Sequence, residues 1–390
     1  EHMPETSLPN VICYDDFVAV GKPEFDWPQL DEQDACALCY TSGTTGNPKG
    51  VQYTHRTTVL HSLGGNQPDG LAISARDTVM AVVPMFHVNA WGVPYIAAGV
   101  GAKLVLPGAK LDGESLVRLI DGEKVTLALG VPTIWMGVLP ELEGRNVSAL
   151  RAIPCGGSAV PKALSEGYRK TTGLPILQAW GMTETSPIGA VCTIKSTLDD
   201  LDDEAKADVR TTIGLIAPAV DFRIAEPETG EEIPWDGETS GELQVRGPWV
   251  ARTYYNDDRA PESFTDDGWL KTGDVATANP EGYIRHVDRT KDLIKSGGEW
   301  ISSVELENEI MAHPDVVEAA VIGVASTRWG ERAMACVVPV EGTDLTADEV
   351  LEWLEGRVVK WWLPDRVEFI EEVPKTSVGK FSKKTLRDRF

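Results

Sequence analysis

The sequence is poor in basic residues and in cysteine. Its 390 residues carry 36 Lys and Arg against 60 Asp and Glu, which gives a formal net charge of −24. Such a chain presents no generally basic surface to the phosphates of a nucleic acid, which argues against that class of partner. Six cysteines in a chain of this length do not make a disulfide scaffold.

A secretory signal is also absent, and the longest uncharged stretch does not resemble a membrane span. Residues 78–102 contain no Asp, Glu, Lys or Arg, but they do contain Pro84, His87, Asn89 and Pro94. Those residues favour a buried strand, turn and helix over a transmembrane helix. Hydrophobic residues still make up 42% of the chain, which is enough for a large core. These features predict a cytoplasmic globular protein without a transmembrane segment.

The chain divides into three regions of different sequence pattern. Between residues 34 and 190, short apolar strands alternate with amphipathic helices, which predicts an α/β fold with a mostly parallel sheet. Residues 210–288 contain short strands separated by Gly, Pro and Asp turns, which indicates an antiparallel, barrel-like part. Residues 292–390 predict a small α+β unit. We expect a large domain over 1–288, a hinge at 289–291 and a small domain over 292–390.

Individual elements follow from the same periodicity. In the first region it predicts strands at 79–83, 103–106, 126–129, 150–154 and 175–180, and helices at 113–123, 133–142 and 162–172. In the second region it predicts strands at 220–225, 241–246, 253–255 and 283–287.

A loop rich in glycine and hydroxyl residues follows the apolar run around Cys36 and Cys39, which itself predicts a strand. It reads Thr41-Ser42-Gly43-Thr44-Thr45-Gly46-Asn47-Pro48-Lys49-Gly50. Glycines allow tight turns with inward N–H groups, while the hydroxyls and Lys49 add donors and positive charge, so the loop suits a polyphosphate. A surface turn is the alternative. It is not a Walker A loop, since Pro48 stands where that motif needs glycine.

Seven motifs in order resemble the adenylate-forming (AMP-binding) superfamily. After the phosphate loop they lie at 156–159, 178–184, 267–274, 288–292, 295–300 and 374–380. The resemblance implies a large N-terminal domain, α/β plus β-barrel, and a small mobile α+β C-terminal domain. Residues 84–91 and 297–302 resemble the medium- and long-chain fatty acyl-CoA synthetases. Because a long subdomain precedes the phosphate loop in that family, the resemblance also implies a missing N-terminal region.

The resemblance assigns roles to particular residues. It implies that Lys380 bridges the carboxylate and α-phosphate oxygens, that Thr183 and Glu184 act with it, and that His87 borders the acyl site. It assigns Mg²⁺ to Thr41 and Glu184. The ATP or AMP positions it implies are Thr41, Ser42, Gly43, Thr44, Thr45, Gly46, Lys49, Val88, Gly157, Ser158, Gln178, Ala179, Trp180, Gly181, Thr183, Asp274, Arg289, Lys291, Lys295 and Trp300. The acyl and CoA positions are His87, Trp91, Gly181, Ser296, Gly297 and Gly298.

Several of these residues also have a plain structural interpretation. Trp180 offers a flat face for a purine, but it can equally be a core residue at a strand end. Asp274 can accept hydrogen bonds from both ribose hydroxyls, or stabilise its own turn. Trp91 is either a gate to an apolar tunnel or a core residue. In the basic C-terminus we expect Lys380 to be functional, and Lys383, Lys384 and Arg387 to be solvated.

The sequence thus predicts an ATP-dependent acid–CoA ligase for medium- or long-chain fatty acids, using ATP, Mg²⁺ and CoA. A fatty carboxylate would attack ATP to give acyl-adenylate and pyrophosphate. The small domain would then turn about Lys291, and CoA would displace AMP. The alternatives are a ligase for aryl, short-chain or sulfur-containing acids, a nucleotide-binding fragment without turnover, and a luciferase-like oxygenase. The family subgroup also implies a possible homodimer.

Overall fold

The computed structural model describes residues 5–41, 48–258, 260–376 and 379–390. Its helices are α1 (Tyr14–Ala19), α2 (His55–Gly65), α3 (Val88–Trp91), α4 (Val93–Val100), α5 (Gly113–Gly122), α6 (Pro132–Val138), α7 (Lys162–Thr172), α8 (Asp203–Arg210), α9 (Ser303–Met311), α10 (Ala347–Leu354) and α11 (Lys383–Arg389). None of the helices in these ranges is long and apolar enough to cross a membrane.

Within the described ranges, the strands form five hydrogen-bonded groups. They are β1 (Ala35–Tyr40), β2 (Gly50–Thr54), β3 (Thr78–Ala81), β4 (Lys103–Val105), β5 (Leu127–Leu129), β6 (Pro154–Cys155), β7 (Leu177–Gly181), β8 (Ile188–Val191), β9 (Leu215–Ile216), β10 (Asp221–Ala225), β11 (Gly241–Arg246), β12 (Leu270–Ala278), β13 (Ile284–Arg289), β14 (Ile294–Ser296), β15 (Glu299–Ile301), β16 (Val316–Ser326), β17 (Gly330–Pro339) and β18 (Arg366–Phe369).

The first region contains the predicted parallel strands. β4, β3 and β5 are parallel neighbours, and β6 pairs in parallel with β7. Isolated parallel bridges lead from Leu127 of β5 to Ala152 and from the adjoining Gly130 to Cys155. The strand predicted at 150–154 is shorter than expected and consists of Pro154–Cys155. Trp135 and Tyr168 pack in the helical layer, where the Tyr168 hydroxyl donates to the Trp135 carbonyl over 2.8 Å. This layer fixes the strand ends that carry the candidate site.

The middle sheet is antiparallel, in the order β10-β11-β12-β13. Its buried side includes Ile224, Leu243 and Ile284, and Trp180 of β7 packs against the same cluster. The strand predicted at 253–255 does not form, since only Tyr255 pairs, through one bridge to Gly50. That bridge brings the neighbouring Tyr254 side chain towards the first region.

The C-terminal sheet has the order β15-β14-β17-β16, with β18 parallel to β17. Leu306 and Ile310 of α9 are fully buried against it. Side-chain caps explain where two helices of the C-terminal region, α9 and α10, begin. The Ser302 hydroxyl accepts from the Glu305 N–H over 3.1 Å, and Thr346 and Glu349 form a capping box.

Candidate active site

A cavity of about 490 Å³ lies where the phosphate loop, β7 and the middle sheet meet. Its volume is in the range of small-molecule sites. It brings together residues that are far apart in the sequence. The predicted site residues that line it are Thr41, Lys49, His87, Val88, Trp91, Gly157, Ala179, Trp180, Gly181, Thr183, Glu184, Arg289, Lys291 and Lys380.

The ends of the phosphate loop are held together by backbone pairing. The Thr41 N–H donates to the Lys49 carbonyl over 2.9 Å, and the Lys49 N–H donates to the Thr41 hydroxyl over 3.0 Å. The predicted nucleotide contacts Ser42, Gly43, Thr44, Thr45 and Gly46 lie outside the described residues. Lys49 Nζ donates to Ser263 Oγ over 2.9 Å and lies 4.5 Å from the centre of the Tyr254 ring. A positive charge is therefore fixed at this end of the cavity.

Thr183 and Glu184 lie on a buried 3₁₀ turn, Thr183–Thr185. The Tyr254 hydroxyl donates to Glu184 Oε1 over 2.6 Å, and the Tyr53 hydroxyl donates to the Thr183 carbonyl over 2.7 Å. Burial, followed by the nearby Glu184 carboxylate, raises the pKa of Tyr254, so this hydroxyl stays a donor. The sequence interpretation missed both tyrosines. Alternation along β2 marks Tyr53 as buried, but no local signal links Tyr254 to Glu184.

The donor set fits a magnesium ion that arrives on ATP. Among the described residues, no group of three or more His, Cys, Asp and Glu side chains lies close enough to hold a metal ion. Mg²⁺ is commonly held by one or two carboxylates together with substrate phosphates. Glu184 supplies one carboxylate, positioned by Tyr254, and Thr41 supplies a hydroxyl on the same cavity wall. Glu184 and Thr41 would therefore hold Mg²⁺ as part of the nucleotide complex.

Asp274 is completely buried and already surrounded by donors. Its Oδ2 accepts from Trp180 Nε1 over 2.8 Å, and its Oδ1 lies 2.6 Å from Arg289 Nε and 3.2 Å from His286 Nε2. Burial alone would raise the pKa of Asp274, but Arg289, His286 and Trp180 outweigh it and lower the pKa, so the group is ionised. His286 is a partner that the sequence interpretation missed.

Asp274 lines a second, adjoining cavity of about 240 Å³ rather than the first. Ser158 and Gln178 line this cavity too, and Gly157, Trp180, Arg289, Lys291 and Lys380 line both. The Gln178 side chain is buried and accepts from the Val160 N–H over 3.0 Å, so it supports the loop that follows Gly157. Trp180 fits both of its interpretations, because its ring packs in the core and also lines both cavities.

The wall assigned to the acyl group has an unusual backbone. Val88, Asn89, Ala90 and Trp91 all have positive φ angles, between 46° and 60°. Each such residue costs roughly 1–2 kcal/mol relative to a right-handed conformation. Gly92 ends the turn at φ +71°, where an added Cβ would lie 2.8 Å from His61 Cε1. The turn directs Trp91 towards Gly156, whose added Cβ would lie 3.4 Å from Trp91 Cη2.

Two titratable side chains from different parts of the chain meet at this wall. Burial, helped by the positive charge of Lys380, lowers the pKa of His87 to about 4, so its imidazole is neutral near pH 7. Lys380 reaches the cavity beside Gly157, where an added Cβ would lie 3.2 Å from Lys380 Cε. Burial, followed by repulsion from Arg289, lowers the pKa of Lys380 to about 8.

A pH profile follows from the lowered pKa of Lys380. If its positive charge is needed, kcat/KM for acyl-adenylate formation falls as the pH rises through about 8, because the lysine loses its proton there. His87 is neutral from about pH 5 upwards, so its titration should not contribute to this fall in kcat/KM. The measurement is initial pyrophosphate release between pH 6 and 10. A rate that is flat up to pH 10 would contradict the assigned role of Lys380.

Five predicted residues lie elsewhere in this structure. Lys295, Ser296, Gly297, Gly298 and Trp300 belong to the β14–β15 hairpin and line neither of the two cavities. Lys295 Nζ lies 5.2 Å from the centre of the Trp300 ring, and the buried Ser296 hydroxyl accepts from Arg332. Their assignment to the nucleotide or CoA stays a prediction, and it needs another orientation of this hairpin.

The expectation that Lys383 and Arg387 are solvated is wrong. Lys383 Nζ lies 2.8 Å from Glu307 Oε1, and Arg387 pairs with Asp292 over 2.7 Å. Both basic groups project from α11 back onto other elements, which a count of charges along the sequence does not reveal. Lys384 is exposed, as expected.

Comparison with known proteins identifies the family. The model of the AMP-binding enzyme family matches residues 5–255, and the model of the AMP-binding enzyme C-terminal domain matches residues 305–380. The chain belongs to the AMP-binding enzyme family. Its fold agrees with this, since ATP-bound MatB from Rhodopseudomonas palustris superimposes with a TM-score of 0.84 at 29% identity, over 96% of this chain and 72% of that one.

The relatives of this AMP-binding enzyme include several acid–CoA ligases. It is 49% identical over 379 residues to a 3-methylmercaptopropionyl-CoA ligase from Ruegeria pomeroyi, covering 97% of this chain and 70% of that protein. It is 46% identical over 385 residues to a medium-chain-fatty-acid–CoA ligase from Ectopseudomonas oleovorans, covering 98% and 70%. The predicted family and fold are confirmed, and acid–CoA ligase is the activity class these relatives support. CoA ligases of this family use ATP, Mg²⁺ and CoA.

Proposed function

We propose that this AMP-binding enzyme activates a medium- or long-chain fatty acid and transfers it to CoA. The observation that carries the proposal is that one cavity joins three functional groups of residues. His87 and Trp91 line its acyl wall, Lys49 and Glu184 its phosphate end, and Lys380 enters beside Gly157. A carboxylate and an α-phosphate placed between these ends would meet next to the Lys380 ammonium.

In the first half-reaction a carboxylate oxygen attacks the α-phosphorus, and the bond from that phosphorus to the bridging oxygen of the β-phosphate breaks. Acyl-adenylate forms and pyrophosphate leaves. The ammonium groups of Lys380 and Lys49 stabilise the negative charge that spreads over the phosphate oxygens. When bound, Mg²⁺ neutralises charge on the same phosphates. The chain contributes mainly position and electrostatics, and no protein nucleophile is needed.

In the second half-reaction the CoA sulfur attacks the acyl carbon, the thiol proton is released to solvent, and the bond from that carbon to the phosphate oxygen breaks, so that AMP leaves. We assign the large domain to 1–288, with an α/β part at 34–190 and a barrel-like part at 210–288. The hinge is at 289–291 and the small domain at 292–390. Rotation about Lys291 would withdraw Lys380 and bring the hairpin of Lys295 and Trp300 to the cavity. The family match to two separate models, on either side of the hinge, supports this division.

The substrate class is argued from the acyl wall. Ala90 is small and packs in the same buried cluster as Trp91, which supports an acyl chain rather than a bulky ring at this wall. The medium-chain relative supports a fatty acid. The Ruegeria relative supports a second candidate, a short sulfur-containing acid.

The test is pyrophosphate release with ATP and a panel of acids: acetate, octanoate, palmitate, benzoate and methylmercaptopropionate. We expect the highest kcat/KM between about eight and sixteen carbons, because apolar burial adds about 0.8 kcal/mol per CH₂. A maximum of kcat/KM with methylmercaptopropionate or benzoate would indicate that the substrate is a short sulfur-containing acid or an aryl acid rather than a fatty acid. No release with any acid would indicate a nucleotide-binding protein without turnover. Light or oxygen uptake after acyl-adenylate forms would indicate an oxygenase.

Replacement of Trp91 by alanine tests the acyl wall. Removing the indole next to Gly156 enlarges the cavity, so Trp91→Ala should shift the preferred chain length by several carbons while KM for ATP changes less than about twofold. The measurement is kcat/KM across a chain-length series. An unchanged profile would show that Trp91 is only a core residue.

We further propose that the protein works in the cytoplasm, because ATP and CoA are both supplied there, and that it can form a homodimer. The homodimer is supported only by the resemblance to its subgroup. Sedimentation of the purified protein tests it, and a single monomeric species at micromolar concentration would contradict it.

A further inference from the structure

Lys383 lies three residues after Lys380, and its ammonium is held inside the protein. Its Nζ lies 2.8 Å from Glu307 Oε1 and donates to Ser303 Oγ over 2.6 Å. The side chains of Lys383 and Glu307 are only 11% and 9% exposed. Glu307 Oε1 also accepts from the Val321 N–H over 2.7 Å, so the pair is anchored in the C-terminal sheet.

Ser303 continues this chain of contacts to the middle sheet. Its hydroxyl donates to Asp288 Oδ2 over 2.5 Å, and its N–H donates to the same oxygen over 2.6 Å. Asp288 is 1% exposed and belongs to β13, on the other side of residues 289–291 from Ser303. A hydroxyl has one proton, so Lys383 donates to Ser303 and Ser303 donates to Asp288. The direction of donation is therefore fixed by chemistry.

The chain of contacts ends next to the nucleotide residues. Asp288 Oδ1 accepts from the Arg289 N–H over 2.7 Å, and Arg289 pairs with Asp274. Among the described residues, two hydrogen-bonded attachments lead from the segment that carries Lys380 to the part of the chain before residues 289–291, and Arg387 adds an ion pair with Asp292 just after them. One is this chain of buried charged groups. The other is a single long hydrogen bond of 3.4 Å from Thr133 Oγ1 to the Gly379 carbonyl.

The attachment through Lys383 is the stronger of the two. Hydrogen bonds between charged groups are roughly twice as strong as neutral ones, and those at Lys383 and Asp288 are short and buried. The long neutral contact at Gly379 is close to the limit of a hydrogen bond. If the Lys383 attachment is lost, the Thr133–Gly379 contact is the one hydrogen bond in the described residues that joins this segment to the part of the chain before the hinge, while Arg387 still pairs with Asp292 beside the hinge.

We propose that Lys383 is a positioning residue for adenylation: through Ser303 it ties the segment carrying Lys380 to Asp288, and so keeps the Lys380 ammonium in the cavity. This inference rests on the proposed function for its kinetic consequences. The contacts themselves are independent of it. Because Asp288 and Ser303 lie on opposite sides of the proposed hinge, the tie acts in this orientation of the small domain and parts when that domain turns.

The test compares the two half-reactions in Lys383→Met, which keeps the length of the side chain and removes its charge. A displacement of about 1 Å in a reacting group can cost about 10²-fold, so we expect pyrophosphate release at saturating ATP to fall 10- to 100-fold. KM for ATP and CoA transfer from supplied acyl-adenylate should stay within about threefold of the parent. Lys383→Arg should restore at least part of the first half-reaction. Equal loss in both half-reactions, or no loss, would overturn the proposal.

Ser303→Ala separates positioning from general stability. It leaves the Lys383–Glu307 ion pair and the bond from the residue 303 N–H to Asp288 in place but removes the hydroxyl that joins Lys383 to Asp288, so it should reproduce part of the selective loss in adenylation. In the double variant Lys383→Met/Ser303→Ala, the loss of adenylation rate should be smaller than the sum of the two single losses expressed as free energies. Lys103→Met, which breaks an exposed ion pair with Glu123, is the control for losing a lysine and should leave both half-reactions unchanged. A Ser303→Ala variant with full adenylation activity would overturn the proposal.

Hydrogen exchange gives a readout that needs no catalysis. Amides at 379–386 should exchange about tenfold faster in Lys383→Met than in the parent, because the segment loses its attachment, and by a smaller factor in Ser303→Ala, which keeps the ion pair with Glu307. Unchanged exchange would overturn the inference even if the parent is active. If the variants exchange faster than the parent, but the parent releases no pyrophosphate with any acid, the attachment through Lys383 is supported and the proposed function is overturned instead.

Discussion

Lys380→Ala should abolish acyl-adenylate formation while leaving CoA transfer from supplied acyl-adenylate largely intact. The lysine reaches the cavity beside Gly157, and the charge it meets develops only when the α-phosphate is attacked. Removing one such preorganised group costs about 10²–10³-fold in kcat. The measurement is pyrophosphate release for the first half-reaction and acyl-CoA formation from synthetic acyl-adenylate for the second.

The control for this variant is Lys170→Ala, which removes an exposed lysine of α7 that lines neither cavity and should leave both rates unchanged. Equal loss of the two half-reactions in Lys380→Ala would contradict the idea that the lysine serves one step only. Full activity in the first half-reaction would contradict its role altogether.

Asp274→Asn should have the second large effect, on ATP binding and on stability together. The substitution keeps the shape but removes the charge that Arg289 and His286 face. Loss of one partner from a buried ion pair destabilises a protein by about 3–5 kcal/mol, and we expect a loss near the lower end because Arg289 is partly exposed. KM for ATP should rise by about 10²-fold, since a charge-assisted hydrogen bond contributes roughly 1.5–3 kcal/mol.

Asp267→Asn is the matched control, because Asp267 is an exposed carboxylate in the same sequence motif and pairs with Arg223. It should change neither KM for ATP nor the free energy of unfolding by more than a small amount. Denaturant unfolding and ATP titration of both variants provide the measurements. If KM for ATP is unchanged in Asp274→Asn, the carboxylate is a structural group and not part of the ribose site.

Much of the fold follows from local patterns in the sequence. Alternation of short strands and helices predicted the parallel strands β3, β4 and β5. β3 and β5 are almost entirely buried and therefore read as apolar runs, whereas β4 lies at the edge with Lys103 exposed. The ordered motifs also located most of the cavity wall. The strand predicted at 253–255 was wrong, since Tyr255 forms a single bridge to Gly50 while Tyr254 is turned to Glu184, 70 positions away.

The contacts that the sequence did not predict are those between distant residues. Tyr53 reaches Thr183 across 130 positions, and Lys383 reaches Ser303 across 80. Pairing of this kind depends on how whole elements pack, and no local spacing encodes it. The left-handed turn at Val88–Trp91 was also missed, because none of its four residues is the glycine that normally signals positive φ.

Exchange of labelled pyrophosphate into ATP, without CoA, tests the central claim most directly. Reversal of the first half-reaction produces this exchange only if the enzyme forms acyl-adenylate. We predict exchange that requires a fatty acid and Mg²⁺, is greater with octanoate or palmitate than with acetate or benzoate, and disappears in Lys380→Ala. Exchange that is absent with every acid, or that persists without Lys380, would contradict the account.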